Sequence, residues 1–455
     1  MDRKNDILND SLLPLLQTLI RNRCVNTGDP DSGFERRSAQ TLEAFFAERG
    51  IDSEILECRE GRSNLLVRIP GTRKGAPSLM YMGHTDVVPA REDDWTRNPF
   101  SAEISDASED GPELWGRGTV DMLNMTASMA VGLAEAYRRK GSFPGDLCFL
   151  AVADEEASGN YGARWLTEEH WDKVKTDYMI AELGGFYVDT KRGRVPTITL
   201  GEKGIAWLRI TVKGTPGHGS MPYRSDNGIV KLSKLVMLLE DALGKPVMHP
   251  MFRTMARGLS GSLFEQVLLT NPFTLRKGLS RIWKRSKGIA KFLQTAAYTT
   301  VSPNVLRGGE KINVIPDRAS CDLDVRLLPG QTIEDVAGVI KAKALKLGIS
   351  VDIRELEYFP SNVSPLETPL MDAVRAERAG EHGEPVPMMI GGVTDGRFWR
   401  SKGSVVYGYA PFCPEMTMSR YASMIHGIDE RISLASLERH ADFFTRLPGL
   451  FYGRS

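Results

Sequence analysis

Three apolar stretches of this chain each end on a residue type that can bind a metal. Residues 78–83 lead into His84, residues 147–152 into Glu155-Glu156, and residues 177–181 into Glu182. Runs this uniformly apolar suit strands buried on both faces, as in a parallel sheet covered by helices. Helical patterns separate them, one of them opening at Asp121 and running through Met129 and Leu133 towards Tyr137. In open α/β sheets, ligands bind outside the carboxyl ends of the strands. The three ends are therefore expected along one sheet edge.

Two more signatures complete a candidate ligand set: Asp121, which follows Gly116-Arg117-Gly118-Thr119-Val120, and His426 in Ile425-His426-Gly427. Each signature also has an ordinary structural reading. His84 with Asp86 could be a core histidine paired with an acid, the imidazole using one nitrogen for a metal or simply a hydrogen bond to the Asp86 carboxylate two residues on. Asp121 could be a helix cap. Asp154-Glu155-Glu156 could be a solvated turn. His426, expected just before a helical pattern, could cap it. Taken together, two imidazoles and three carboxylates match the needs of two adjacent zinc-like ions sharing one carboxylate, with a further glutamate left to handle protons.

Composition narrows the alternatives. At 455 residues the chain favours more than one domain. Lys plus Arg equals Asp plus Glu, at 58 each, so no global charge calls for nucleic acid or an anionic surface. Cys24, Cys58, Cys148, Cys321 and Cys413 are scattered and odd in number, which fits core thiols in a reducing compartment. No apolar run is long enough to span a bilayer, and the charged N-terminus lacks the apolar segment of a signal peptide. Cytoplasmic residence is the expectation.

The texture changes at about Gly201. Residues 206–212 alternate like a half-exposed strand, 228–243 read as a helix, and 311–325 and 349–356 read as antiparallel strands. After about Pro360 the α/β texture returns. The expectation is an α/β domain formed by residues 1–202 and 362–455, for which the family resemblance given next implies a catalytic role and a mixed sheet with helices on both faces. An inserted α+β domain takes residues 203–361.

These motifs resemble the co-catalytic zinc hydrolase family that includes carboxypeptidase G, aminoacylase, succinyl-diaminopimelate desuccinylase and acetylornithine deacetylase. The resemblance covers nearly the whole chain. It implies that His84 and Glu182 bind one zinc, Glu156 and His426 the other, and Asp121 both. It implies Asp86 as the group that orients His84, Glu155 as the general base, and a lid or dimerisation role for the insert. Gly217-His218-Gly219-Ser220 resembles the segment whose histidine polarises the substrate carbonyl of a partner subunit, in a homodimer. Asn313 and Arg326 resemble the pair that grips a substrate carboxylate, a task suited to the planar guanidinium. A structural ion pair from Arg326 to a nearby acid is the competing reading. Gly391-Gly392-Val393-Thr394-Asp395-Gly396-Arg397 resembles a pocket-lining loop, with Gly392 and Thr394 against the substrate.

The implied reaction is hydrolysis of an amide or peptide bond next to a free carboxylate, on an N-acyl amino acid or short peptide. Glu rather than Asp at 182 resembles the deacylase and carboxypeptidase branches. A dipeptidase or aminopeptidase, or a non-catalytic metal-binding scaffold, remains the alternative. Two departures stand out: Leu123-Asn124 follows Met122 where the family commonly has a lysine, and residues 247–300 are long for a lid. That stretch carries Arg276, Lys277, Arg281, Lys284, Arg285, Lys287 and Lys291 among apolar residues, and reads as an amphipathic basic helix. It could be a solvated face packed on its own domain, a cover over the active site, or a docking surface for acidic or lipid-like molecules.

Overall fold

The computed structural model describes residues 7–106, 108, 111–190, 193–239, 242–379 and 383–453. The chain divides into two compact units. One comprises residues 1–200, 364–388 and 394–455, the other residues 201–363 and 389–393.

The first unit is built on a mixed sheet. Four parallel strands form its centre in the order Leu147–Val152, Leu79–His84, Tyr178–Ala181, Val405–Gly408. Arg62–Ile69 and then Ser53–Arg59 extend it antiparallel on one side. Every residue of Leu79–His84 and of Leu147–Val152 is buried, which explains their continuous apolar character. Register places Tyr81, Phe149, Ile180 and Tyr407 on one face. Helices Leu123–Lys140 and Leu434–Tyr452 pack there, with Tyr81 Oη donating to the Phe444 carbonyl at 2.9 Å. The two helices approach so closely at Gly132 that a Cβ there would lie 2.3 Å from Phe444 Cβ. Val406 marks the opposite face, where helix Gly396–Ser401 packs. Because the central strands are parallel, His84, Val152, Ala181 and Gly408 all end at one edge.

The second unit contains an antiparallel sheet in which Arg318–Leu327 lies between Thr299–Gly308 and Gly204–Lys213, with Val351–Phe359 outside the latter. Ala206, Leu208, Ile210 and Val212 alternate inward, and helices Gly228–Met237 and Ile333–Lys346 contribute to the same core.

Four sequence expectations change. The helix from Gly228 stops at Met237, and Ala242–Leu243 is a short strand. The single strand expected over 311–325 is two, because Pro316, which has no N–H to donate, separates Val314–Ile315 from Arg318–Leu327. The basic segment is two helices, Leu275–Trp283 and Lys287–Ala297. Ser286 separates them by accepting a hydrogen bond from Ile289 N as an N-cap. His426 does precede a helix, Leu434–Tyr452, but it lies in a left-handed turn, φ 55°, with strand Arg431–Ser433 between, and Ser433 rather than His426 caps that helix.

Candidate metal centre

At the strand-end edge, Asp121 lies between two imidazoles. Its Oδ1 is 3.2 Å from His84 Nε2 and its Oδ2 is 3.5 Å from His426 Nε2. His84 Nε2 is also 3.7 Å from Glu182 Oε2, and His426 Nε2 is 3.0 Å from Glu156 Oε2. Potential ligand atoms of His84, Asp121 and Glu156 lie within 4.8 Å of one another, and so do those of His84, Glu155 and Glu182. The structure thus gathers all five candidate ligands and Glu155 into one cluster. Distance alone does not separate Glu155, expected as the base, from the ligands.

Four of the six residues are carboxylates, and their electrostatics are unfavourable without cations. Burial, reinforced by Glu182, pushes the Glu155 carboxyl well above its usual range. Burial does the same to Glu182, opposed by His84 and assisted by Asp121. Burial opposes a charged His84, yet its hydrogen bond to Asp121 and the nearby Glu182 and Glu155 hold it well above an ordinary imidazole. Hydrogen bonds to Asp121 and Glu156 raise His426 to about 10. Glu156 Oε1 is buried with no hydrogen-bond partner. A cation pair among these donors would neutralise the carboxylates, hold both imidazoles neutral and give that oxygen a partner. The residues present fit such a pair.

The surroundings hold these groups in place. His84 Nδ1 is 2.9 Å from the Asp86 backbone carbonyl, whereas the Asp86 carboxylate is 3.6 Å away. The expected orienting bond is therefore made by the main chain, because the strand stops at His84 and its alternation does not reach Asp86. The Asp86 carboxylate instead accepts from Glu155 N at 3.2 Å, Glu156 N at 3.1 Å and Asn26 Nδ2 at 2.9 Å. Asn26 continues to Asp154, and buried Arg62 joins Asp154 to Glu35 with bonds of 2.7–2.8 Å.

On the other side, buried Glu430 accepts from Gly118 N, Val120 N and Asp121 N at 2.6–3.0 Å. Arg117 binds Glu430 and also donates to the Gly427 carbonyl at 2.8 Å, next to His426. The peptide bond between Asp121 and Met122 is cis. Asp395 is a further buried carboxylate in this unit, raised to about 7 mainly by burial, and Arg397 beside it opposes that shift. Asn26, Arg62, Glu430 and Arg117 carry no role that the sequence alone displays. The Gly-Arg-Gly run and the acid four residues after His426 were the available signals, but neither names its partner.

Of the remaining predicted residues, His218, Asn313, Arg326 and Gly392 belong to the second unit and Thr394 to the first. His218 and Asn313 share a small ribbon, in which Gly217–His218 pairs with Val314–Ile315 and Gly219 N donates to the Asn313 carbonyl at 2.8 Å. His218 is exposed, with Nδ1 2.7 Å from Ser220 Oγ. Arg326 makes a two-pronged ion pair with Asp324, at 2.7 and 3.1 Å. Gly392 is exposed, and Thr394 is buried.

The family model for peptidase family M20/M25/M40 matches residues 80–448. The chain is 27% identical to the N-fatty-acyl-amino acid synthase/hydrolase PM20D1 of Xenopus tropicalis, over 88% of this chain and 77% of that protein. It is 28% identical to the succinyl-diaminopimelate desuccinylase of Maricaulis maris, over 98% and 96%. Its fold is similar to that of the M20 family metallo-carboxypeptidase Sso-CP2 from Sulfolobus solfataricus, with a TM-score of 0.69 at 19% identity, over 99% of each chain. The match spans the strand that carries His84 through to the final helix, and the chain belongs to peptidase family M20/M25/M40 as a metallohydrolase of amide and peptide bonds.

Proposed function

We propose that this protein cleaves the amide bond of N-acyl amino acids, using two zinc ions held by His84, Asp121, Glu156, Glu182 and His426. The observation that carries the reading is the placement of Asp121, with one oxygen directed at each imidazole. Neutral imidazoles and carboxylates in small numbers are a zinc-type donor set. When bound, the cation pair supplies polarisation of the scissile carbonyl and a lowered pKa for the attacking water.

Glu155 accepts the proton of that water and returns it to the departing nitrogen. Asp86, through the amides of Glu155 and Glu156, holds the base and its neighbouring ligand in one orientation. Arg326 and Asn313 bind the substrate carboxylate, with Asp324 occupying the guanidinium until substrate replaces it. Gly392 and Thr394 contact the acyl portion of the substrate. His218 donates to the carbonyl oxygen from the partner subunit of a homodimer. The five free cysteines suit work in the cytoplasm.

The test is a panel of N-acetyl, N-succinyl and long-chain N-acyl amino acids, each with a free and an amidated carboxylate, alongside dipeptides, with zinc-loaded protein. Cleavage of the free acids and not of their amides is the expected result. Preference for dipeptides, or equal cleavage of the amides, overturns the substrate assignment.

A further inference from the structure

Residues 248–298 form four helices: Pro250–Leu259, Leu263–Thr270, Leu275–Trp283 and Lys287–Ala297. They enclose a small core of their own, which includes Phe252, Met255, Leu269, Leu275, Ile282 and Leu293. This segment holds nine Lys and Arg residues and one acid, Glu265. It carries a net charge of +8, in a chain whose total is zero. Glu265 is buried and paired with Arg281 and Arg285. Arg276, Lys277, Lys284, Lys287 and Lys291 are exposed, with no acid within ion-pair distance among the described residues.

Beside these cations the same helices expose large apolar side chains. Phe273 is 94% exposed, Leu263 72%, Val267 63% and Phe264 59%. Leu263, Phe264 and Val267 follow helical spacing along one side of their helix. The two kinds of group are interleaved. The Arg281 guanidinium lies 5.6 Å from the Phe264 ring centre, and Lys287 Nζ lies 5.9 Å from that of Trp283.

We propose that this face docks on an anionic lipid bilayer, with the apolar side chains entering the headgroup boundary and the surrounding ammonium and guanidinium groups meeting lipid phosphates and carboxylates. Exposed aromatic and aliphatic residues among unpaired cations are what interfacial binding requires. A second copy of the chain is a poor occupant, because a symmetric contact would set +8 against +8. A nucleic acid or acidic protein would use the charge and leave Leu263, Val267 and Phe273 without a role.

The test is flotation of the full-length protein with vesicles of phosphatidylcholine containing about one-third phosphatidylserine, against vesicles of phosphatidylcholine alone. The expected result is partition onto the anionic vesicles only, weakening as salt rises. Each basic residue at an anionic leaflet is worth about fivefold in partition, so the triple variant R276E/K277E/K284E falls by about a hundredfold or more. L263S/F273S, which keeps every charge, also loses binding. Both variants retain wild-type hydrolysis of a water-soluble substrate, which reports that they fold. Equal partition to neutral vesicles, no partition to either, or binding undiminished in the two variants overturns the proposal. So does a wild-type dimer that L263S/F273S dissociates, or retention on a DNA oligonucleotide that L263S/F273S leaves unchanged without any vesicle binding.

Discussion

Glu430 and Arg117 form an ion pair of 2.7 Å in which neither side chain reaches solvent. The pair links the loop that carries Asp121 to the turn that carries His426, two segments about 300 residues apart in sequence. Glu430→Ala leaves Arg117 buried without its counter-charge and three amides without their acceptor. Breaking a buried pair in this way destabilises by about 3–5 kcal/mol. Urea unfolding of the metal-free protein measures it. Zinc content after dialysis should fall as well, since Asp121 loses the support of its own amide bond. A loss of stability below about 1 kcal/mol would show that the hub does not hold the site.

Glu155→Gln keeps the shape of the side chain and removes its ability to take a proton. Turnover should fall by about a hundred- to ten-thousand-fold, while zinc content measured by atomic absorption stays near two per chain. Loss of zinc in step with activity would reassign Glu155 as a ligand, which its position within 4.8 Å of His84 and Glu182 also allows.

Arg326→Ala should raise KM for free-carboxylate substrates with a smaller change in kcat. Asp324→Asn, which removes the competing carboxylate 2.7 Å from Arg326 Nε, should lower KM for the same substrates. Steady-state kinetics on both variants decide whether the guanidinium grips substrate or only its neighbour. If both KM values equal that of the wild type, Arg326 is a structural ion pair.

Lys203 is buried, and its ammonium donates to the Thr295 and Tyr298 carbonyls at 3.0 and 2.8 Å and to Thr300 Oγ1 at 3.1 Å. It thereby satisfies two carbonyls at the end of helix Lys287–Ala297. Burial, then Arg326, lowers its pKa from 10.5 to about 7. Below pH 7 the group is charged in both folded and unfolded chains, and the burial penalty is fully present. Between about 7 and 10.5 the unfolded chain holds the extra proton, so stability contributed by this residue rises with pH. Denaturation of wild type and Lys203→Met across that window should diverge, the wild type gaining. Parallel curves would mean that the three oxygens keep the ammonium charged throughout.

The strands, the candidate ligands that cluster at their ends and the change of texture near Gly201 were legible because each is local. A buried parallel strand needs an uninterrupted apolar run, and a metal centre needs imidazole and carboxylate, so both leave marks in short stretches of sequence. The end of His84's strand was legible too, but not which group of Asp86 would meet the ring. That depends on the path of the chain beyond the strand, where the Asp86 carboxylate turns to the amides of Glu155 and Glu156. Likewise, Ser286 reads as one more polar residue in a basic run until its hydroxyl caps the next helix.

Residue order alone specifies the apolar strands and the candidate ligands at their ends, because both are written in residue types whose pattern shows within a few positions. How those groups are held emerges only when the chain folds. Asp86 bonds the amides of Glu155 and Glu156, Glu430 gathers the amides before Asp121, and Arg62 closes Glu35 onto Asp154. Each of these contacts joins residues tens to hundreds of positions apart, where one carboxylate in sequence looks like any other. Burial and the path of the sheet select the partner.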